Sequence, residues 1–146
     1  MNTINHALWG AVIGQVVGNP LGGAMVGSLP DLLTIPEFTV LKVKGTEPHK
    51  APRSLLRWYE FVHNWWVALL LTGLLFSISK SYGVLGLAYL LHVIEDAFVH
   101  TQMATRFLYP VWKGRIQRVS AAESKWVQVV DLVVLGLVYV LLFRAR

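Results

Sequence analysis

A chain of 146 residues that is 55% hydrophobic and only 14% charged has the composition of a membrane protein rather than of a soluble domain, and it is long enough for one domain, 1–146. The absence of cysteine excludes disulfides, thiolate zinc sites and iron–sulfur clusters. The formal charge of +5 invites a nucleic-acid partner, but the basic residues fall into two inter-helix segments, where membrane topology explains them instead.

The first apolar stretch, 7–29, is long enough to cross a bilayer, yet its middle reads GNPLGG at 18–23. A proline among asparagine and glycines is turn chemistry, so the sequence predicts two short helices folded back on each other, each about half a bilayer deep. No lysine or arginine precedes this stretch, as the n-region of a secretory signal requires. Residues 34–54 collect Pro36, Pro48, Pro52, Gly45 and several charges, and are expected to form a loop. Three apolar runs follow, 61–78, 83–99 and 126–143, each close to the ~20 residues that carry a helix across ~30 Å of hydrocarbon. The predicted fold is all-α: an integral membrane helical bundle with a short N-terminal helical hairpin and three spanning helices.

Lys42, Lys44, Lys50, Arg53 and Arg57 precede the first run, and Arg106, Lys113, Arg115, Arg118 and Lys125 separate the second from the third. If the first two runs pair across SKSY at 79–82, both basic segments lie on one side, which the positive-inside rule makes cytoplasmic. The expected location is the inner (plasma) membrane, crossed several times, with the lipid bilayer as partner and no nucleic acid. Segment 106–125 is expected to lie along the surface, with Phe107, Leu108, Trp112 and Ile116 touching lipid.

The second run ends LLHVIEDAFVH, and at about 100° per residue His92, Asp96 and His100 fall within roughly 80°, one stripe on one face. Tyr89 shares the stripe and Glu95 flanks it. A carboxylate and two imidazoles at i, i+4 and i+8 match the reach of helical metal ligands, and ionisable groups inside a span are costly unless paired or functional. The alternative is a headgroup position where water satisfies them. His63, within YEFVHNWW, comes to the same membrane face. His6 and Asp31 bracket the first stretch. On one straight helix they would stand about 37 Å apart; folded at 18–23, they return to the face that bears His63 and the stripe.

Taken in order, His6, LPD at 29–31, FVHN around His63, HVIED at 92–96 and FLYP at 107–110 resemble the family of membrane-bound metal-dependent hydrolases. Those small inner-membrane proteins carry an N-terminal histidine, a PDxD box, a GxTHS box, an SHxxxD box and a YP pair. The family is in turn similar to the helical zinc phospholipase C and P1-type nuclease group, which implies phosphoester hydrolysis. Carried over by position, the resemblance implies His6, Asp31, His63, His92 and Asp96 as metal ligands. His100 is added from helical geometry and from a further histidine in the phospholipase group. Leu33 stands where the family has the second acid of PDxD, and Val62 and Asn64 replace the threonine and serine that flank the box histidine.

Imidazoles and carboxylates together suit Zn²⁺ or Mn²⁺, ions that acidify water and polarise a phosphoryl oxygen. Glu95 or Glu60 is by proximity the carboxylate that takes a proton from that water, with a salt bridge to Arg57 or Arg106 as the structural alternative. A site at the cytoplasmic membrane face points to a phospholipid or an isoprenyl phosphate as substrate, with soluble phosphoesters left open. Two other classes stay open at this point. One is a haem-binding electron carrier with His63 and His92 as axial ligands, which leaves Asp31 and Asp96 unexplained. The other is a non-enzymatic small membrane subunit, which Asp131, nearly alone in the third run, fits best.

Overall fold

The computed structural model describes residues 3–47, 50, 51, 54, 56–99, 109, 111 and 125–144. Among these residues every regular element is a helix: α1 (Thr3–Gln15), α2 (Pro20–Val43), α3 (Arg57–Val62), α4 (Trp65–Ile78), α5 (Lys80–Val99) and α6 (Lys125–Arg144). Arg53, His100, segment 101–108 and most of segment 106–125 lie outside the described residues, and with them His100 as a ligand and the surface segment expected there.

The expected fold-back at 18–23 is present, and three residues explain it. Gly18 takes φ 71°, a conformation that glycine enters without a Cβ penalty. Asn19 caps α2, its Oδ1 accepting from the Gly22 amide at 2.9 Å, and Pro20 fills the first helical position, where a missing N–H costs nothing. The second arm differs from expectation. α2 runs for 24 residues through Pro30 and Pro36, about 36 Å at 1.5 Å per residue, so the loop expected from residue 34 begins only after Val43. Each proline removes one donor from the helix ladder, yet the helix continues through both. Pro30 is fully buried. Around Pro36, α3 supplies polar partners: the Trp58 indole donates to the Leu33 carbonyl at 2.8 Å, and the Tyr59 amide donates to Glu37 Oε2 at 2.9 Å.

Gly10 and Gly14 of α1 face Gly23 and Gly27 of α2. A Cβ added at Gly10 or Gly23 would overlap the other's carbonyl oxygen, and one at Gly27 would stand 2.6 Å from the His6 carbonyl oxygen. Glycine is what lets two backbones approach this closely, as in the small-xxx-small contacts of membrane helices. Rows 6–10–14 and 23–27–31 therefore run along the contact, and they bring His6 and Asp31 to the open end of the hairpin.

The second hairpin turns on one residue. Ser79 is extended between α4 and α5, and its Oγ accepts from the Tyr82 amide at 3.1 Å, so it stops one helix and caps the next. Thr72 and Gly86, equally far from Ser79 in sequence, meet through a 2.9 Å bond from Thr72 Oγ1 to the Gly86 carbonyl. The run 61–78 is not one helix: it breaks at His63 and Asn64, and Asn64 caps α4 by accepting from the Trp66 amide at 2.8 Å. Asparagine is among the best N-caps, which is why the helix can restart there.

Among the described helices α2 is the one long and apolar enough to cross a membrane; α4 and residues 126–142 of α6 are apolar but shorter. α5 has 20 residues, but Lys80, Glu95 and Asp96 interrupt its apolar character. The helix that meets the requirement is thus the one expected to be a short arm.

Candidate metal centre

Four side chains from three places in the fold converge. Asp31 comes from the middle of α2, His63 from the break between α3 and α4, and His92 and Asp96 from successive turns of α5. One ligand atom from each lies within 4.8 Å of all the others. His63, His92 and Asp96 are buried, and Asp31 forms the open edge, its side chain 23% exposed.

The imidazoles are held by their far nitrogens. His63 Nδ1 donates to the Tyr59 carbonyl at 3.0 Å, closing the C-terminus of α3. His92 Nδ1 donates to the Gly27 carbonyl at 2.7 Å, which the glycine contact of α1 and α2 brings within reach. With the proton of a neutral ring on Nδ1, its Nε2 presents a lone pair. Those two Nε2 atoms face each other at 3.3 Å. Two facing lone pairs beside two carboxylates form a donor set that calls for a cation, and a backbone carbonyl fixing each tautomer is the support that metal-bound histidines usually have.

The spacing agrees with that chemistry. His63 Nε2 and His92 Nε2 each lie 3.4 Å from Asp96 Oδ2, and they lie 3.6 and 3.7 Å from Asp31 Oδ1. A tetrahedral ion with ligand bonds of about 2.0–2.2 Å sets its ligand atoms about 3.3–3.6 Å apart. The residues present therefore fit a single small divalent ion, whose charge the two carboxylates balance. The haem alternative fits poorly: axial imidazoles bind on opposite faces of a macrocycle, whereas these two share their point of convergence with two carboxylates.

His6 is brought to the site but sits differently from the other four. Its Nδ1 faces Glu95 Oε2 and its Nε2 faces Asp96 Oδ1, both at 3.0 Å, and its ring stacks on His92 at 3.7 Å. Both nitrogens thus point at carboxylates, the pattern of an imidazolium donating on two sides. His6 is outside the converging four and orients Asp96 through the oxygen opposite the one that faces His63 and His92. Glu95, expected to accept a proton at the site, is engaged with His6 instead. Glu60 lies on α3 and is not one of the converging residues. Leu33 sits about 200° around α2 from Asp31, and its side chain is exposed, so an acid there would not join these four. Asp131 is not at the cluster: it accepts from Asn5 and Trp9 on α1.

Tyr59 and Tyr89 brace His63. The Tyr59 ring packs on the His63 ring at 4.2 Å; burial, with Asp96 and Asp31 nearby, pushes its hydroxyl well above the ordinary tyrosine range, so it stays neutral. Tyr89 donates to the Val62 carbonyl at 2.6 Å, at the residue before His63. Tyr89→Phe is expected to cost about 1–2 kcal/mol, a buried bond lost with its acceptor left unsatisfied, and to weaken metal binding less than loss of any of the four. Thermal unfolding in detergent and zinc titration measure the two effects.

The chain matches no protein-family model, no curated protein and no solved structure. What it can do therefore rests on its own geometry. The glycines were readable at Gly10-x3-Gly14 and Gly23-x3-Gly27 as a contact signal, and they were the positions that a search for ionisable residues missed. Asn64 also reaches Tyr109, donating to its carbonyl at 3.1 Å, which ties the box around His63 to the tyrosine of FLYP.

Proposed function

We propose that the protein is a multi-pass inner-membrane, metal-dependent hydrolase that cleaves a phosphoester carried by a lipid, with Zn²⁺ as its metal. The observation that carries the metal is the convergence of His63 Nε2 and His92 Nε2, 3.3 Å apart, with the carboxylates of Asp31 and Asp96. Two imidazoles and two carboxylates in near-tetrahedral spacing favour zinc over manganese, which prefers more oxygen ligands in octahedral sites. When bound, such an ion supplies Lewis acidity toward a phosphoryl oxygen and toward water. The reaction class rests on the resemblance to membrane-bound metal-dependent hydrolases.

The protein's own residues argue for a lipid substrate. Asp31 is the edge through which the cluster is reached, and its neighbours Leu32 and Ile35 are 45% and 54% exposed apolar residues. An opening framed by such residues faces lipid rather than water. Asp31 lies about 18 Å from Asn19 along α2, at the middle of that helix and with apolar residues on both sides, which suits a site within the apolar depth of the bilayer rather than in water. His63 and His92 are held rigidly by backbone carbonyls, His6, itself bonded to Glu95, holds Asp96, and Asp31, at the exposed edge, is the donor placed to yield to a substrate oxygen. Leu70 and Leu74 of α4 and Val130, Leu137 and Leu141 of α6 are also exposed, as lipid-facing residues of a multi-pass bundle are.

The test is hydrolysis of phosphatidic acid, other phospholipids and isoprenyl pyrophosphates in vesicles containing the purified protein. Release of phosphate or headgroup that a chelator stops and zinc restores is expected; bound zinc without turnover of any of them would contradict the enzyme. One observation favours a second reading. Four protein donors already complete a tetrahedral set, as in structural zinc sites, so zinc without turnover would mark a small subunit whose helices are stapled by the ion.

A further inference from the structure

α6 carries one acid, Asp131, among valines and leucines. Its Oδ2 accepts from the Asn5 side-chain amide at 2.7 Å, and its Oδ1 accepts from the Trp9 indole at 2.9 Å. Each oxygen faces a donor-only nitrogen, the bonding pattern of a carboxylate. Both donors are on α1, one residue before His6 and three after it. The Tyr139 hydroxyl adds a bond to the Leu8 carbonyl at 3.1 Å, again on α1.

α1 is therefore held from two directions, by α2 through the glycine contact and by α6 through Asp131. A charge bonded only to neutral donors is a costly way to dock a helix among apolar neighbours, and another leucine would dock α6 without that cost. What the carboxylate adds is direction: two bonds to two successive turns of α1 fix both its rotation and its depth. His6 depends on both, because it reaches Glu95 and Asp96 on α5 at 3.0 Å each, and a shift of α1 by one ångström would break these bonds.

We infer that Asp131 is a positioning residue: by holding Asn5 and Trp9, it sets α1 so that His6 bridges Glu95 and Asp96 beside the metal group. The part of this concerning metal affinity rests on the proposed metal centre; the part concerning His6 does not.

Three variants of the full-length protein in detergent test it. Asp131→Asn puts an amide where two donors point, so one of them meets another donor. The exchange Asn5→Asp with Asp131→Asn restores both bonds at position 131: the new amide oxygen accepts from Trp9, and its NH₂ donates to the new carboxylate on α1. Tyr139→Phe removes a separate bond between α6 and α1 and leaves Asp131 untouched. The readouts are the low-field ring N–H proton signals of His6 by NMR and the affinity for Zn²⁺ alone.

Asp131→Asn is expected to shift or broaden the His6 signals and to weaken Zn²⁺ binding about 10-fold, the lower end of what loss of an outer-sphere partner costs. The exchange restores both readouts, and Tyr139→Phe changes neither. Wild-type His6 signals in Asp131→Asn would overturn the inference, as would an equal effect of Tyr139→Phe, since either would make Asp131 a mere docking contact. If the wild type binds no Zn²⁺ while the His6 signals still follow Asp131→Asn and its exchange, the positioning role stands and the metal centre falls.

Discussion

Asp96→Asn will strip the protein of most of its bound metal and leave its helices folded. Asp96 is the residue on which the site depends most, with Oδ2 at 3.4 Å from both His63 Nε2 and His92 Nε2 and Oδ1 at 3.0 Å from His6 Nε2. An asparagine placed there keeps its oxygen toward His6 and turns its NH₂ toward the two imidazole lone pairs. That arrangement satisfies the apo protein, so the fold survives. It also fills the point of convergence with hydrogens and removes a charge that balances the ion. Affinity should fall by more than about 100-fold, beyond the 10–100-fold cost of losing a supporting partner. Ile94→Ala, on the outward face of the same helix, should retain wild-type metal content. Elemental analysis after equilibration with zinc measures both, and an Asp96→Asn protein with full metal content would show that these residues are not ligands.

Gly23→Ala should do comparable damage from a position that carries no chemistry. The new Cβ would overlap the Gly10 carbonyl oxygen and stand within 2.7 Å of Gly14 Cα. Backbone atoms cannot rotate away, so α1 and α2 must separate. The cost should reach about 3 kcal/mol, the upper end for overpacking, and separation withdraws His6 from Asp96 where α1 moves or the Gly27 carbonyl from His92 where α2 moves. Stability and metal affinity should therefore fall together. Gly73→Ala and Gly136→Ala are the comparison, because a Cβ at either position meets nothing within 4 Å. Those changes should stabilise their helices by up to about 1 kcal/mol through propensity alone. Denaturation in detergent ranks the three, and a neutral Gly23→Ala would contradict the close hairpin.

These contrasts also show what kind of information the sequence carries. The turn at GNP is local chemistry, a left-handed glycine, a capping asparagine and an N1 proline, and so it could be read directly. The length of α2 could not, because Pro30 and Pro36 are local helix breakers, and the surroundings in which the helix persists, the burial of Pro30 and the bonds from Trp58 and Tyr59 to residues 33 and 37, come from distant parts of the chain. The break at His63 was hidden inside an apolar run for the opposite reason: hydropathy says nothing about a histidine closing one helix and an asparagine opening the next. His92 and Asp96 share a helical face, so periodicity found them together. Asp31 and His63 were found only through the order of short motifs and the fold-back. His6 was placed at the site for the same reason, yet whether it meets a metal or two carboxylates depends on Glu95 and Asp96, 89 and 90 residues away. The partners of Asp131 lie 122 and 126 residues away, beyond any pattern in the chain.

The central claim is that His63, His92, Asp31 and Asp96 hold one metal ion. X-ray absorption at the zinc edge of the purified full-length protein, equilibrated with Zn²⁺, tests it most directly. One tightly held zinc per chain is expected, with two imidazole nitrogens and two oxygens at about 2.0–2.2 Å. A spectrum of fully hydrated zinc, or a shell without imidazole, would contradict it.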